Sequence, residues 1–169
     1  QRLITETLSN SDNGRFVFSK MHHTHYKTAI SIFLDKPYFG IGPKMFRYHC
    51  GDKKYEIKNP AWSTQNLFRC SSHPHNLFLQ LMSETGIIGI IFYIVIFSYV
   101  VFKLTNLFLF QFFNKNNLKN KDNYSIFFLL AFFITLWPIA PSGSFFNNWS
   151  SIIFFYPLGF YLFFLEKDK

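Results

Sequence analysis

Charge is scarce in this chain. Its 169 residues hold 17 Lys and Arg and 9 Asp and Glu, 15% in all, against roughly 25% in an ordinary globular protein. Cysteine occurs twice, and the eight glycines keep no three-residue period, which excludes a collagen-like chain. Set beside 22% aromatic residues, the shortage of charge also excludes a disordered chain, which would be polar and poor in rings. No signal peptide opens the sequence. Gln1-Arg-Leu-Ile-Thr-Glu6 has no apolar core, and a start on Gln reads as a piece of a longer chain. What is abundant is phenylalanine, 25 residues of it. The mean hydropathy is nonetheless only +0.10, so the question is where the apolar residues lie.

They lie at one end. Residues 1–85 carry a net charge of +5 and all six histidines, while residues 86–169 carry +3, most of it in two short places. Gly86–Phe110 is an apolar run long enough to cross a hydrocarbon core of ~30 Å. Lys103 sits near its far end, where its stem can snorkel. A polar connector, Asn114–Asn123, holds Lys115, Lys119 and Lys121. Tyr124–Pro141 gives a second apolar run, Pro141-Ser-Gly-Ser144 a turn, and Phe145–Leu165 a third run containing Pro157. Ile152–Leu165 alone is short enough to be a buried core helix instead. The expectation is an all-α, polytopic membrane protein with spans near 86–110, 124–141 and 145–165. The lysine-rich connector belongs on the cytoplasmic side, with the 166–169 tail. Residues 1–76 and the Pro141–Ser151 turn then face outside together, and the membrane part runs over 77–165.

Within the polar half, Ser9–Gly14 is a turn cluster able to cap a helix, and Arg15–Phe33 is the best helix candidate. Lys36-Pro37 ends it. Gly40-Ile-Gly42-Pro43 is a tight turn; as a phosphate loop it lacks a preceding strand and a third glycine. Asn59-Pro60 marks another turn, and Leu77, Leu81 and Met82 begin a helix that enters the first span. Cys50 and Cys70 either form a disulfide, worth roughly 3 kcal/mol by loop closure, or remain two thiols. An oxidising compartment would favour the bond.

The polar residues able to do chemistry are few. His22, His23, His25, His49, His73 and His75 invite a metal reading, and His22 and His25 share a helix face. No Asp, Glu or Cys stands near them, however, so a solvated helix face is the preferred account and no metal is assigned. His75 differs, because it stands where the loop meets the membrane and an imidazole there can act as a general base. Arg15, Arg47 and Arg69 are the arginines placed to hold phosphate oxygens at the membrane surface. Net positive charge alone does not make a nucleic-acid binder, and no such motif is present.

One ordered set of motifs is more specific. His73-Pro-His75-Asn76, followed after nine residues by Gly86-Ile-Ile-Gly89, resembles the loop-to-helix junction of the O-antigen ligase and polymerase family. Gly14-Arg15 and Asp35-Lys-Pro37-Tyr-Phe-Gly40-Ile-Gly42-Pro43 are similar to the start of that family's large periplasmic loop. Gly143-Ser-Phe-Phe-Asn-Asn-Trp149 resembles its last periplasmic turn, while Phe16-Val-Phe18 stands where a Trp often follows Gly-Arg. The resemblance implies a GT-C-like, inverting glycosyltransferase of the bacterial inner membrane that uses neither metal nor cofactor. Its partners would be membrane lipids, an undecaprenyl-diphosphate-linked glycan and a glycan acceptor, either a lipid A–core sugar or a growing glycan. A protein hydroxyl is a further acceptor in the family, and a transporter without chemistry is the rival class. The family pattern implies His75 as the catalytic residue and Arg15 as a ligand of the donor diphosphate. Arg47, His73 and Asn76 complete the expected substrate contacts.

Overall fold

The computed structural model describes residues 20–57, 69–113 and 120–166, and every regular element among them is helical. Helix α1 spans Lys20–Asp35, a single turn α2 Phe46–His49, and a 3₁₀ turn Lys53–Tyr55. Three apolar helices follow: α3 over Leu77–Phe113, α4 over Asn120–Leu136 and α5 over Asn148–Glu166. The cap cluster at Ser9–Gly14, the Asn59-Pro60 turn, Lys115 and Lys119 of the connector, and residues 167–169 fall outside the described residues.

Helix α1 packs on the first part of α3 through Thr24, His25, Thr28, Ala29 and Ile32, all buried. Of the residues that stand near helical spacing in the sequence, Met21, His25, Ala29 or Ile30, and Phe33, the structure buries His25 and Ala29, half-buries Phe33 and leaves Met21 and Ile30 exposed. The buried face also takes in Thr24 and Thr28, and Thr28 satisfies its hydroxyl by donating to the Thr24 carbonyl at 3.0 Å. Asp35 closes the helix: its carboxylate accepts from Lys54 Nζ at 2.6 Å and Tyr55 Oη at 2.8 Å. The Lys54 contact, first of these, holds the Asp35 carboxyl below its usual range. Cys50 and Cys70 are joined as a disulfide with their Cα atoms 5.1 Å apart. Arg69 fastens the same place, donating from Nε to the Cys50 carbonyl at 2.9 Å and from Nη2 to Gly51 at 2.6 Å.

Helix α3 is broken at Gly86, whose backbone angles are φ 67° and ψ −149°. A break there frees carbonyls and an N–H at the edge of an apolar run, where each must find a partner. The Pro37–Gly42 turn supplies them. Ile41 N–H donates to Ser83 O at 3.2 Å and Gly42 N–H to Glu84 O at 2.8 Å, while Ile87 N–H reaches Pro37 O at 2.8 Å. Contact is so close that only glycine fits: a Cβ on Gly40 would lie 2.4 Å from Glu84 C, and one on Gly86 2.5 Å from Tyr38 O. The Ile41 and Gly42 amides are therefore engaged with α3, and that of Gly40 with the Lys36 carbonyl.

The apolar helices pack through rings. Phe97 stacks on Phe133, Phe128 on Phe160 and Tyr124 on Phe164, with centroids 5.0–5.8 Å apart. Phe132 meets Phe154 edge to face at 4.9 Å, each such pair adding about 0.5–1.5 kcal/mol beyond buried area. Tyr93 donates its hydroxyl to the Leu136 carbonyl at 2.6 Å and pins α3 to the end of α4. Leu77–Phe110 and Asn148–Glu166 are long and apolar enough to cross a membrane, and only 22% and 11% of their most apolar stretches are buried. A soluble core would bury most of them, so these faces are lipid-facing, and the chain is a helical membrane protein. The second run is shorter than expected. Its helix ends at Leu136 because Pro138 lacks an N–H and disfavours helix at Trp137, leaving Tyr124–Leu136 as a shorter apolar helix.

Gly86→Ala should lower stability by about 2 kcal/mol or more through left-handed strain and backbone overlap. Gly159→Ala, where nothing lies within 4 Å of the new methyl, should be nearly neutral. Thermal midpoints in detergent compare the two directly.

Candidate active site

The segment joining the loop to α3 is held from two sides. Asn76 caps α3: its Oδ1 accepts from Leu79 N–H at 3.0 Å, the third residue into the helix. Its Nδ2 donates to the Pro138 carbonyl at 2.7 Å, in the turn between α4 and α5. One turn on, Gln80 does the same work with its own amide. Oε1 accepts from Phe145 N–H at 2.8 Å, and Nε2 donates to Ser144 Oγ and Glu84 Oε2, both at 2.9 Å. Glu84, with no exposed surface, accepts in turn from Phe46 N–H at 3.0 Å, which orients α2. The α4–α5 turn, α2 and the start of α3 thus share one buried polar network.

His73 and His75 project from this frame. His73 is 9% exposed and both ring nitrogens are engaged. Ser72 Oγ donates to Nδ1 at 2.8 Å, and Nε2 donates to the Ser142 carbonyl at 3.2 Å, which fixes a neutral tautomer. Ser71 Oγ also donates to the His73 carbonyl. Burial lowers the His73 pKa. His75 adopts a left-handed backbone, φ 59°, uncommon for any residue but glycine although His, Asn and Asp enter it more often than others, and its carbonyl accepts from Ser142 N–H at 3.0 Å. Strain of this kind is retained where the surroundings over-determine it, as at active sites.

The ring of His75 meets three other imidazoles. Its centroid lies 4.2 Å from that of His73, 5.3 Å from His25 and 5.4 Å from His22. Burial, and after it the nearby charges of His73, His25 and His22, pushes its pKa down to about 4. At neutral pH the side chain is an uncharged imidazole able to accept a proton.

The remaining expected residues are placed differently. Asn76 and His73 have their polar side-chain atoms engaged with backbone and Ser72, so both position the site. Arg47 is exposed on α2, its Nε on the Lys44 carbonyl at 3.3 Å and its guanidinium 5.6 Å from the Tyr48 ring centre. Arg69 is committed to the carbonyls beside the disulfide, and Arg15 lies outside the described residues. Among the described residues no three His, Cys, Asp or Glu side chains are grouped to hold a metal ion. The sequence reading passed over Gln80 and the convergence of His22 and His25 on His75. For the first the signal was an amide one turn before a carboxylate, both at the edge of an apolar run. For the second there was none, since some fifty residues separate the partners.

The histidines make stability depend on pH. In the unfolded chain an imidazole protonates near its ordinary 6.5, whereas folded His75 stays neutral down to about 4. Acid therefore favours the unfolded state across that window. The thermal midpoint should fall as pH drops from about 6.5 to 4 and be flat above 7. His75→Asn, which keeps the left-handed backbone tolerable, should flatten the slope.

Residues 10–94, just over half of the chain, match the family model described as O-antigen ligase. No curated protein and no solved structure matches the chain. The matched region takes in α1, the glycine turn, the disulfide, the His73–Asn76 segment and the Gly86 break, that is, nearly all of the site. The chain belongs to the O-antigen ligase family, ligase- or polymerase-like membrane glycosyltransferases.

Proposed function

We propose that the protein transfers a glycan from an undecaprenyl-diphosphate carrier to an acceptor hydroxyl, that of a lipid A–core sugar, at the periplasmic face of the bacterial inner membrane. The observation that carries this reading is His75, a neutral imidazole in a strained backbone at the entrance to the first apolar helix. In the reaction the acceptor oxygen attacks the anomeric carbon from the side opposite the carrier. A carbon–oxygen bond forms, the bond to the diphosphate breaks, and the configuration inverts. His75 takes the acceptor proton, and the diphosphate leaves with the electron pair of the broken bond.

The leaving group is already good, so the protein needs chiefly to hold negative charge and remove one proton. Arg15, in the matched region, is the donor-phosphate ligand in this proposal, and exposed Arg47 is the second candidate. A disulfide at Cys50–Cys70 accords with an oxidising compartment outside the cytoplasm. Within the apolar stretch 86–110 Lys103 is the one charged residue, and it lies towards the far end, whereas coupled transporters carry ionisable groups deep in the bilayer. A growing glycan or a protein hydroxyl would present the same oxygen to the same base.

His75→Asn should reduce transfer about 10²–10⁴-fold, the usual worth of a general base, with protein level and thermal midpoint retained. Surface glycan on a gel, with transfer from a purified lipid-linked donor, reads this out. Undiminished transfer would remove His75 from the chemistry. For Arg15, Ala should weaken use of the donor more than Lys does, and equal activity in all three forms would argue against phosphate contact.

A further inference from the structure

We infer that His22 and His25 of α1, with His73, are positioning residues for His75, whose packed imidazoles keep it unprotonated until the negative diphosphate of the donor stands beside it. The inference rests on His75 being the base of the proposed transfer. It assigns a task to α1, which would otherwise only cover the loop.

Helix α1 brings these rings in because its buried face is the Thr24, His25, Thr28, Ala29 and Ile32 face, which docks on α3. His22 and His25 are one helical turn apart, so both reach the same neighbour. Their rings lie 6.3 Å from each other and 5.4 and 5.3 Å from His75, and His25 is 2% exposed. His73, at 4.2 Å, covers another side, its tautomer set by Ser72 and Ser142. The described elements packed on His75 bring few charged groups to it. From α1 come His22 and His25, with Tyr26 behind them 6.2 Å from His22. The joining segment gives His73. The turn between α4 and α5 gives the backbone of Ser142 and holds no titratable residue, and the first turn of α3 holds none.

A proton on any one of these rings repels a proton on the next. Burial first, and after it these neighbouring rings, therefore keep His75 neutral, ready to accept. A diphosphate reverses the sign, because its charge favours an imidazolium nearby. Proton affinity of the cluster and donor binding are then linked, each raising the other. An acceptor hydroxyl is deprotonated only when the leaving diphosphate is in place, and a free enzyme in mild acid is not idled by a protonated base.

The test is the acid limb of kcat/KM for the donor in the whole protein, beside His25→Gln and His22→Gln. Removing a ring takes away a like charge, so the acid limb should move up by about one pH unit. In each variant transfer at pH 5, relative to pH 7.5, should then fall about 2-fold below the wild-type ratio, since the limb moves from about 4 to about 5. A purely structural role would lower activity in the same proportion at every pH and leave the limb in place, which would overturn the inference. Nuclear magnetic resonance of imidazole-labelled full-length protein in detergent gives an independent reading. The His75 titration midpoint should rise in both variants, and an unmoved midpoint would equally overturn it. Because that titration needs no turnover, it still decides the tuning if His75→Asn retains transfer and the base assignment itself fails.

Discussion

A helix that enters lipid cannot leave backbone groups unpaired, and α3 breaks that condition at Gly86 just as it enters. The repair by Pro37–Gly42 is the contact on which the rest of the structure depends. Ser83 and Glu84 carbonyls receive the Ile41 and Gly42 amides, and the Pro37 carbonyl receives Ile87 N–H. Glycine is required on both sides of this contact, and a side chain on either would overlap the opposing backbone and shift the register between loop and helix. From that register follow the place of α1, which runs into the turn, and of α2, which leaves it with Phe46 N–H on Glu84.

The second fastening acts on the other side of α3. Asn76 and Gln80 tie the α4–α5 turn to the first helical turns, and His73 and His75 each bond to Ser142. Between these fastenings His75 is left with a strained backbone, a ring among rings and no charge at neutral pH. The Asn76 and Gln80 amides and the Ser142 contacts hold this backbone from the side of the α4–α5 turn. A soft loop would relax it.

Much of this was legible in the sequence. Helix α3 and the third apolar run are visible as long apolar stretches with few polar interruptions, and the motif around His73–Gly89 resembles that of the family. Gly40-Ile-Gly42 read correctly as backbone turn chemistry, though not what the turn was for. That required knowing that Gly86, some forty residues later, would break a helix against it. In α1 the spacing placed His25 and Ala29 on the buried face, while Met21 and Ile30 are exposed; packing on α3 also takes in Thr24 and Thr28, and the Thr28 hydroxyl is satisfied within the helix. The early end of α4 could have been taken from Pro138, but the surrounding apolar residues outweighed it. His22 and His25 read as a solvated helix face, since nothing local told them apart from surface histidines. Only the tertiary contact shows their partner.

Chemical rescue tests the central claim, that an imidazole at position 75 removes the acceptor proton, most directly. His75→Gly leaves the left-handed backbone unstrained and a ring-sized space beside His73. The account predicts that this variant of the whole protein transfers glycan poorly and recovers in proportion to added imidazole in its neutral form. Transfer at the wild-type rate without imidazole would contradict it.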